Sequence, residues 1–189
     1  MVGLHEVKHL LKGKEYIWEH SLKVAEESIA IAQQYALQEK ICIEAALCHD
    51  VGGMYTEDEL LMMAIEEHMA LDPAETQHPF LLHQRFSRKI CEQVLAIKDE
   101  RITEAVGCHT TLKANPSAYD MALFIADKLA GNPYGELPYA KEIRKALCCS
   151  LESACLAHID YVCRHGMILM PHRWLLEART WLIPFSISS

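Results

Sequence analysis

Six side chains of this 189-residue sequence have the chemistry of metal ligands and lie at or near the ends of apolar, helix-like segments: His20, His49, Asp50, His83, His109 and Asp127. Neutral imidazoles mixed with carboxylates form the donor set preferred by iron, manganese and zinc. The densest part is Ala45-Ala46-Leu47-Cys48-His49-Asp50-Val51-Gly52-Gly53, an apolar run that ends in an adjacent His-Asp pair. A charge buried at such a helix end must be compensated, because an unpaired buried charge is strongly destabilising. Neighbouring residues on a helix point about 100° apart, so both can reach one ion seated at its end. Taken singly, each member reads as a core or capping histidine or as a solvated acid, and only the six together call for a metal. They are too many for one tetrahedral zinc and suit two ions sharing a carboxylate. Asp50 is the expected bridge from its central position. His20, His49 and Asp127 would then complete one ion, and His83 with His109 the other.

Positioning these residues requires helices. Ile17, His20, Val24, Ile31 and Tyr35 recur at steps of three, four or seven, which predicts a helix over about 15–35 with His20 on its inward stripe. A second is expected from about Gln38 to Asp50, stopped by Gly52-Gly53. Thr56-Glu57-Asp58-Glu59 is a capping box for a third, running towards Met69. Asp72-Pro73 and His78-Pro79 bracket an expected loop, followed by helices over about 80–97 and 99–108, the second ending at His109-Thr110-Thr111. Leu112 to Pro116 reads as a connector, and Ser117-Ala118-Tyr119-Asp120 caps a helix that leads through Asp127-Lys128 to a stop at Gly131-Asn132-Pro133. A segment from about Tyr139 to His165, breakable near Ser150, and a last helix from Pro171 to Leu182 complete the chain, with Pro171 at the first helical position. Alternating strand patterns are nearly absent. The predicted fold is therefore all-α, a bundle of eight or nine helices in one domain over residues 1–189. Its metal-binding core would span about 15–131 and its C-terminal helices 138–183.

Composition narrows the function classes. Hydrophobic residues at 51% and charged residues at 23% describe an ordinary globule, and no apolar stretch approaches the roughly 20 residues needed to cross a bilayer. The N-terminus lacks the basic flank and apolar centre of a secretion signal, so a cytoplasmic protein is expected. Eight cysteines without a C-x-x-C pair read as reduced, buried small side chains. A formal net charge of −8 excludes a nucleic-acid backbone as the natural partner, since such partners need a basic face. It leaves room for a phosphorylated small molecule whose charge is met locally by metal ions. No membrane partner is expected, and a homodimer stays open. The other histidines, including the i,i+4 pair His5 and His9 on a short first helix, are given no ligand role.

The order His20, Cys48-His49-Asp50, Leu82-His83, His109-Thr110-Thr111, Ala126-Asp127-Lys128 resembles the HD-domain metal-dependent phosphohydrolases, and more closely their YqeK-type branch. Further matches are His20-Ser21-Leu22-Lys23-Val24-Ala25, Glu142-Ile143-Arg144 and Leu176-Glu177-Ala178-Arg179, so the likeness runs over nearly the whole chain. The resemblance implies an all-α fold, a two-iron centre with manganese or zinc as alternatives, and symmetrical hydrolysis of diadenosine tetraphosphate to two ADP. Where the family has Arg three residues before its first histidine, this chain has Ile17, and where it has Lys three after the Asp of the pair, this chain has Gly53. Leu112 replaces a glycine after His-Thr-Thr, and Ala130-Gly131-Asn132-Pro133 replaces a Glu-Pro-Gly-Arg run. The lost basic residues would be phosphate contacts. Lys128, Lys113 and Arg85 are the candidates to replace them.

Two ions sharing Asp50 and a water would generate a hydroxide nucleophile near neutral pH. Asp50 and Lys128 are the candidate catalytic residues, and Thr110, Thr111 and Lys128 are placed to hold phosphate oxygens. Hydrolysis of another nucleotide or a phosphomonoester, and a non-catalytic protein binding metal or oxygen, remain the alternatives.

Overall fold

The computed structural model describes residues 4–131 and 137–185. Eleven α-helices are present among them: α1 (Leu4–Leu10), α2 (Glu15–Gln34), α3 (Glu39–Cys48), α4 (Glu57–Glu66), α5 (Pro73–Gln77), α6 (His83–Gln93), α7 (Glu100–Cys108), α8 (Ala118–Leu129), α9 (Ala140–Leu147), α10 (Leu151–Arg164) and α11 (Arg173–Leu182). Short 3₁₀ turns occupy Val51–Met54, Pro79–Leu82 and Ile183–Phe185, and the described residues include no strand. The all-helical expectation holds.

Helix α8 is the axis of the bundle. Met121 to Ala126 and Leu129 are all buried, so the helix is apolar nearly all round, and such a helix is stable only when other helices surround it. It packs against α2, α3, α7 and α10. Helix α2 contributes a narrower stripe of Ile17, Ser21, Val24, Ala25, Ser28, Ile31 and Ala32, spaced for one face. A connected cluster of buried side chains extends from Val7 to Leu182. Capping boxes form where the sequence places them, at Thr56 with Glu59 and at Ser117 with Asp120.

The count exceeds nine for two reasons. The expected loop after Asp72 contains α5, because Asp72 and Glu75 form a further capping box and Pro73 occupies the first turn. The segment 139–165 divides at Ser150, whose extended backbone and Oγ, accepting from Ser153 N at 3.0 Å, start α10 anew. Other boundaries also move. Pro171 is not the first helical residue, since His172 caps α11 by accepting Trp174 N–H on Nδ1 at 3.1 Å. The helix expected from residue 80 opens as a 3₁₀ turn and becomes α-helical only at His83. At the expected stop after α8, Gly131 has φ +69°, while Asn132 and Pro133 lie outside the described residues. All eight cysteines are free thiols, but only five are buried: Cys148, Cys149 and Cys163 are exposed. No helix among the described residues is long and apolar enough to cross a membrane.

His158 of α10 is buried edge-on against Phe124 and Tyr139, with ring centroids 5.4 and 4.6 Å away. Its Nδ1 has no hydrogen-bond partner among the described residues. Burial, reinforced by the positive charge of Lys128, pushes its pKa down to about 3. An unfolded imidazole takes up a proton below about pH 6.5, so from there down to about pH 3 the unfolded state binds more protons and stability falls with falling pH. Urea unfolding of the metal-free protein should therefore show a loss between pH 7 and pH 5 that is about 2 kcal/mol smaller in His158→Phe than in the parent. An unchanged difference between the two pH values would show that His158 is not the titrating group.

Candidate metal centre

Five segments aim the six expected residues at one point. His20 projects from the second turn of α2, His49 is the C-cap of α3, and Asp50 opens the Val51–Met54 turn. His83 begins α6, His109 is the C-cap of α7, and Asp127 lies near the end of α8. His20 Nε2 is 2.9 Å from Asp127 Oδ1, and His49 Nε2 is 3.7 Å from the same oxygen. His83 Nε2 is 3.2 Å from Asp50 Oδ1 and 3.0 Å from His109 Nε2. Ligand atoms of His20, His49 and Asp50 all lie within 4.8 Å of one another, as do those of Asp50, His83 and His109. Asp50 belongs to both groups.

Local helix geometry sets the orientation of the imidazoles. His49 Nδ1 lies 2.7 Å from Ala46 O, His83 Nδ1 2.5 Å from Phe80 O, and His109 Nδ1 2.8 Å from Val106 O. A carbonyl oxygen only accepts, so each Nδ1 bears a hydrogen and any ring that gives up its other proton turns an Nε2 lone pair inward. With both Nε2 atoms deprotonated, the 3.0 Å approach of His83 and His109 would set lone pair against lone pair. A cation between them removes that repulsion, and imidazoles fixed from behind by a carbonyl are the usual form of metal-ligating histidine. The residues present therefore fit divalent metal.

Charge reinforces the fit. Burial, with the neighbouring His49 and His83, holds the His109 imidazole well below its ordinary pKa, so it is available as a neutral ligand. Burial opposes charge on His49 as well, but there the Asp127 hydrogen bond and the Asp50 carboxylate outweigh it and raise the value. Burial would also keep both carboxyls protonated. Asp50 is nevertheless held below the usual carboxylate range by the His83 hydrogen bond and the surrounding imidazoles, and Asp127 by Lys128, His20 and His49. Metal uptake must accordingly displace protons from the imidazoles.

Three supports had no signature as ligands in the sequence. A Cβ on Gly52 would sit 2.3 Å from His83 O and 2.8 Å from Ser87 N, so only glycine lets the Val51–Met54 turn lie against α6. Gly52 N also donates to Ser87 Oγ at 2.8 Å, and this contact brings Asp50 to His83. Buried Gln84 accepts on Oε1 from Thr110 N at 3.1 Å and Thr111 N at 3.3 Å, pinning the loop after His109 to the residue beside His83. The Gly-Gly pair, read from sequence only as a helix stop, was the available hint.

The expected substrate contacts divide. Lys128 Nζ donates to Asp127 Oδ2 at 2.6 Å and to His109 O at 3.3 Å, tying two ligand residues together. Thr110 Oγ1 lies 3.3 Å from His83 Nε2 at the edge of the centre. Thr111 is buried, its hydroxyl bonded to Leu112 O and Gln84. Lys113 is paired with Glu104 and Asp120, and Arg85 with Glu75, so neither cation is uncommitted. The two positions without their basic residues are neighbours: a Cβ on Gly53 would lie 3.4 Å from Asp50 Oδ1 and 3.5 Å from Ile17 Cδ1. Leu112 takes a left-handed backbone with φ +59°, the conformation that a glycine adopts there without steric cost.

The model of the HD domain family matches residues 17–132, more than half of the chain and inclusive of all six candidate ligands. The chain belongs to the HD domain family. It is 35% identical over 135 residues to a Lactococcus lactis subsp. cremoris protein named "Uncharacterized protein in pepC 5'region", covering 71% of this chain and 69% of that one. It is 24% identical over 153 residues to the symmetrical bis(5'-nucleosyl)-tetraphosphatase of Bacillus subtilis, covering 81% and 80%, and 23% identical over 145 residues to the protein of that name from Halalkalibacterium halodurans, covering 77% and 76%. Among solved structures, a predicted HD superfamily hydrolase involved in NAD metabolism from Clostridium acetobutylicum superposes with a TM-score of 0.87 at 25% identity, over 98% of this chain and 99% of that one. The protein is thus an HD-superfamily hydrolase whose histidines and aspartates suit divalent metal.

Asp50→Asn keeps the shape but removes the charge common to both donor groups, so elemental analysis should find at least one equivalent less metal per chain. Undiminished metal content would remove Asp50 from the centre. Gly52→Ala should lower unfolding stability by about 1–3 kcal/mol, the usual range for overpacking, because backbone has to move. An unchanged urea midpoint would mean that the turn and α6 separate freely.

Proposed function

We propose that this hydrolase is a metal-dependent phosphohydrolase of nucleotides, with symmetrical hydrolysis of diadenosine tetraphosphate to two ADP as the leading reaction. The observation that supports it best is the sharing of Asp50 between two ligand groups whose histidine Nε2 atoms are turned inward. The names of the Bacillus and Halalkalibacterium relatives support the substrate. We assign two iron ions to these groups, with manganese or zinc as alternatives. Bound there, divalent ions would acidify a water and offset charge on phosphoryl oxygens.

The remaining work falls to the chain. Asp50, kept ionised by its imidazole neighbours, accepts a hydrogen bond from the attacking water and orients it. An ammonium has three N–H bonds, and Lys128 directs two at Asp127 and His109, which leaves the third for a phosphoryl oxygen. The Thr110 hydroxyl, at the edge of the centre, is positioned to donate to another. Thr111 contributes by holding its loop through Gln84. A second reading, hydrolysis of a smaller nucleotide or a phosphomonoester, is favoured by the wall beside Asp50, where Ile17 and Gly53 offer a long phosphate chain no cation.

The test is a panel of diadenosine tetraphosphate, mononucleotides and simple phosphomonoesters offered to the iron-loaded protein. Release of ADP as the main product, abolished in Asp50→Asn, is the expected result. Lys128→Ala should lower kcat/KM roughly ten- to hundredfold, as befits one charge-assisted hydrogen bond. Faster turnover of a smaller ester would select the second reading, and no turnover of any member by the metal-loaded protein would overturn both.

A further inference from the structure

Resting on that reading, we infer that the connector between α10 and α11 forms a pocket for a purine base, which lets a nucleotide bind with its phosphates at the metal centre. The connector contains Met167-Ile168-Leu169-Met170, four consecutive apolar residues outside any helix. Leu169 is 87% exposed and Met167 50% exposed, so neither is spent on the core. Such a run on an isolated surface would be unfavourable, and a contiguous exposed apolar patch marks a place where something binds. With Leu81, two residues before His83, and Leu175 of α11, the connector lines a cavity of about 340 Å³.

The cavity adjoins the centre at Thr110. Thr110 lines it, and the Thr110 hydroxyl is 3.3 Å from His83 Nε2, the nitrogen that faces Asp50 and His109. A ligand with phosphate at the centre thus has a direct route for its remaining part. No Lys or Arg lines the cavity, and its walls are mostly apolar, which favours an uncharged moiety over a phosphate group. Methionine and leucine walls favour a flat, polarisable ring, as thioethers make good contacts with aromatic faces. His78, at the rim, has an imidazole without a hydrogen-bond partner among the described residues and can meet the polar edge of a base. The volume lies near the lower end of the about 300–1,000 Å³ of ligand pockets, room for one nucleoside and not for two. A dinucleotide substrate would therefore place only one of its nucleosides here.

Calorimetric titration of the metal-loaded protein with ADP, CDP and inorganic phosphate tests this without requiring turnover. Leu169→Asp and Met167→Asp change exposed side chains, and each should weaken ADP at least tenfold while the phosphate affinity stays within twofold of the parent. CDP should bind the parent more weakly than ADP. Unchanged ADP affinity in both variants, equal affinity for ADP and CDP, or parallel loss of ADP and phosphate would each overturn the pocket. The two readings fail separately. Selective loss of ADP binding in a protein that hydrolyses nothing would sink the phosphohydrolase and leave the pocket, whereas turnover with unchanged ADP affinity in the variants would do the reverse.

Discussion

An imidazole that gives its Nδ1–H to the carbonyl three residues earlier can offer only Nε2 to its other side, and His49, His83 and His109 are all fixed in this way. Each sits at a helix boundary, where the carbonyl of the preceding turn is within reach and the ring projects beyond the helix end. The three rings converge on two carboxylates that the same imidazoles, with Lys128, keep ionised. Once the imidazoles release their Nε2 protons, the inward lone pairs and ionised carboxylates in this mostly buried space favour a cation among them. The rest of the structure serves to hold that arrangement.

Two features of the scaffold do most of this. Helix α8, apolar on nearly every side, fixes the relative positions of α2, α3 and α7, and with them His20, His49 and His109 around Asp127. The second is the close approach of the Val51–Met54 turn to α6, which exists because Gly52 has no Cβ to meet the His83 carbonyl. Packing through α8 joins one donor group to the core, and backbone contact at Gly52 joins the other. Asp50, between the turn and the helix end, belongs to both.

In the proposed reading, reactive chemistry and recognition come from different parts of the chain. The candidate ligands come from α2 through α8, within the span that matches the HD domain, whereas the apolar connector 167–170 lies outside it. Thr110, which follows His109, and Leu81, two residues before His83, are where the two meet. In the proposed reading the first part sets the bond that breaks and the second sets which molecule presents it. Ile17 and Gly53 form an uncharged wall beside Asp50.

Much of this was legible in the sequence. Periodicity, capping boxes and Pro/Gly punctuation specify the helical class and most elements, because those signals depend on residues a few positions apart. The six candidate ligands are likewise visible as His and Asp at segment ends, with Asp50 expected between two groups; the structure brings together His20, His49 and Asp50, and Asp50, His83 and His109, with Asp127 beside His20 and His49. What the sequence could not show depends on contacts between distant residues. Gly52 reads as a helix stop until His83 O is seen 2.3 Å from where its Cβ would be. Gln84 looks like an ordinary helical residue until it meets Thr110 and Thr111, and Lys113 and Arg85 look like free cations until their carboxylate partners are found. The apolar connector 167–170 gives no sign of the cavity it lines, since a pocket is defined by all its walls, and here Leu81 and Thr110 are more than 50 residues from the connector in the chain. Sequence by itself determined the helical class and named the candidate donors, through local periodicity and residue chemistry; tertiary structure alone decided that those donors converge, which cations are committed to partners and what lies beside the centre, because burial and charge pairing are properties of the packed chain.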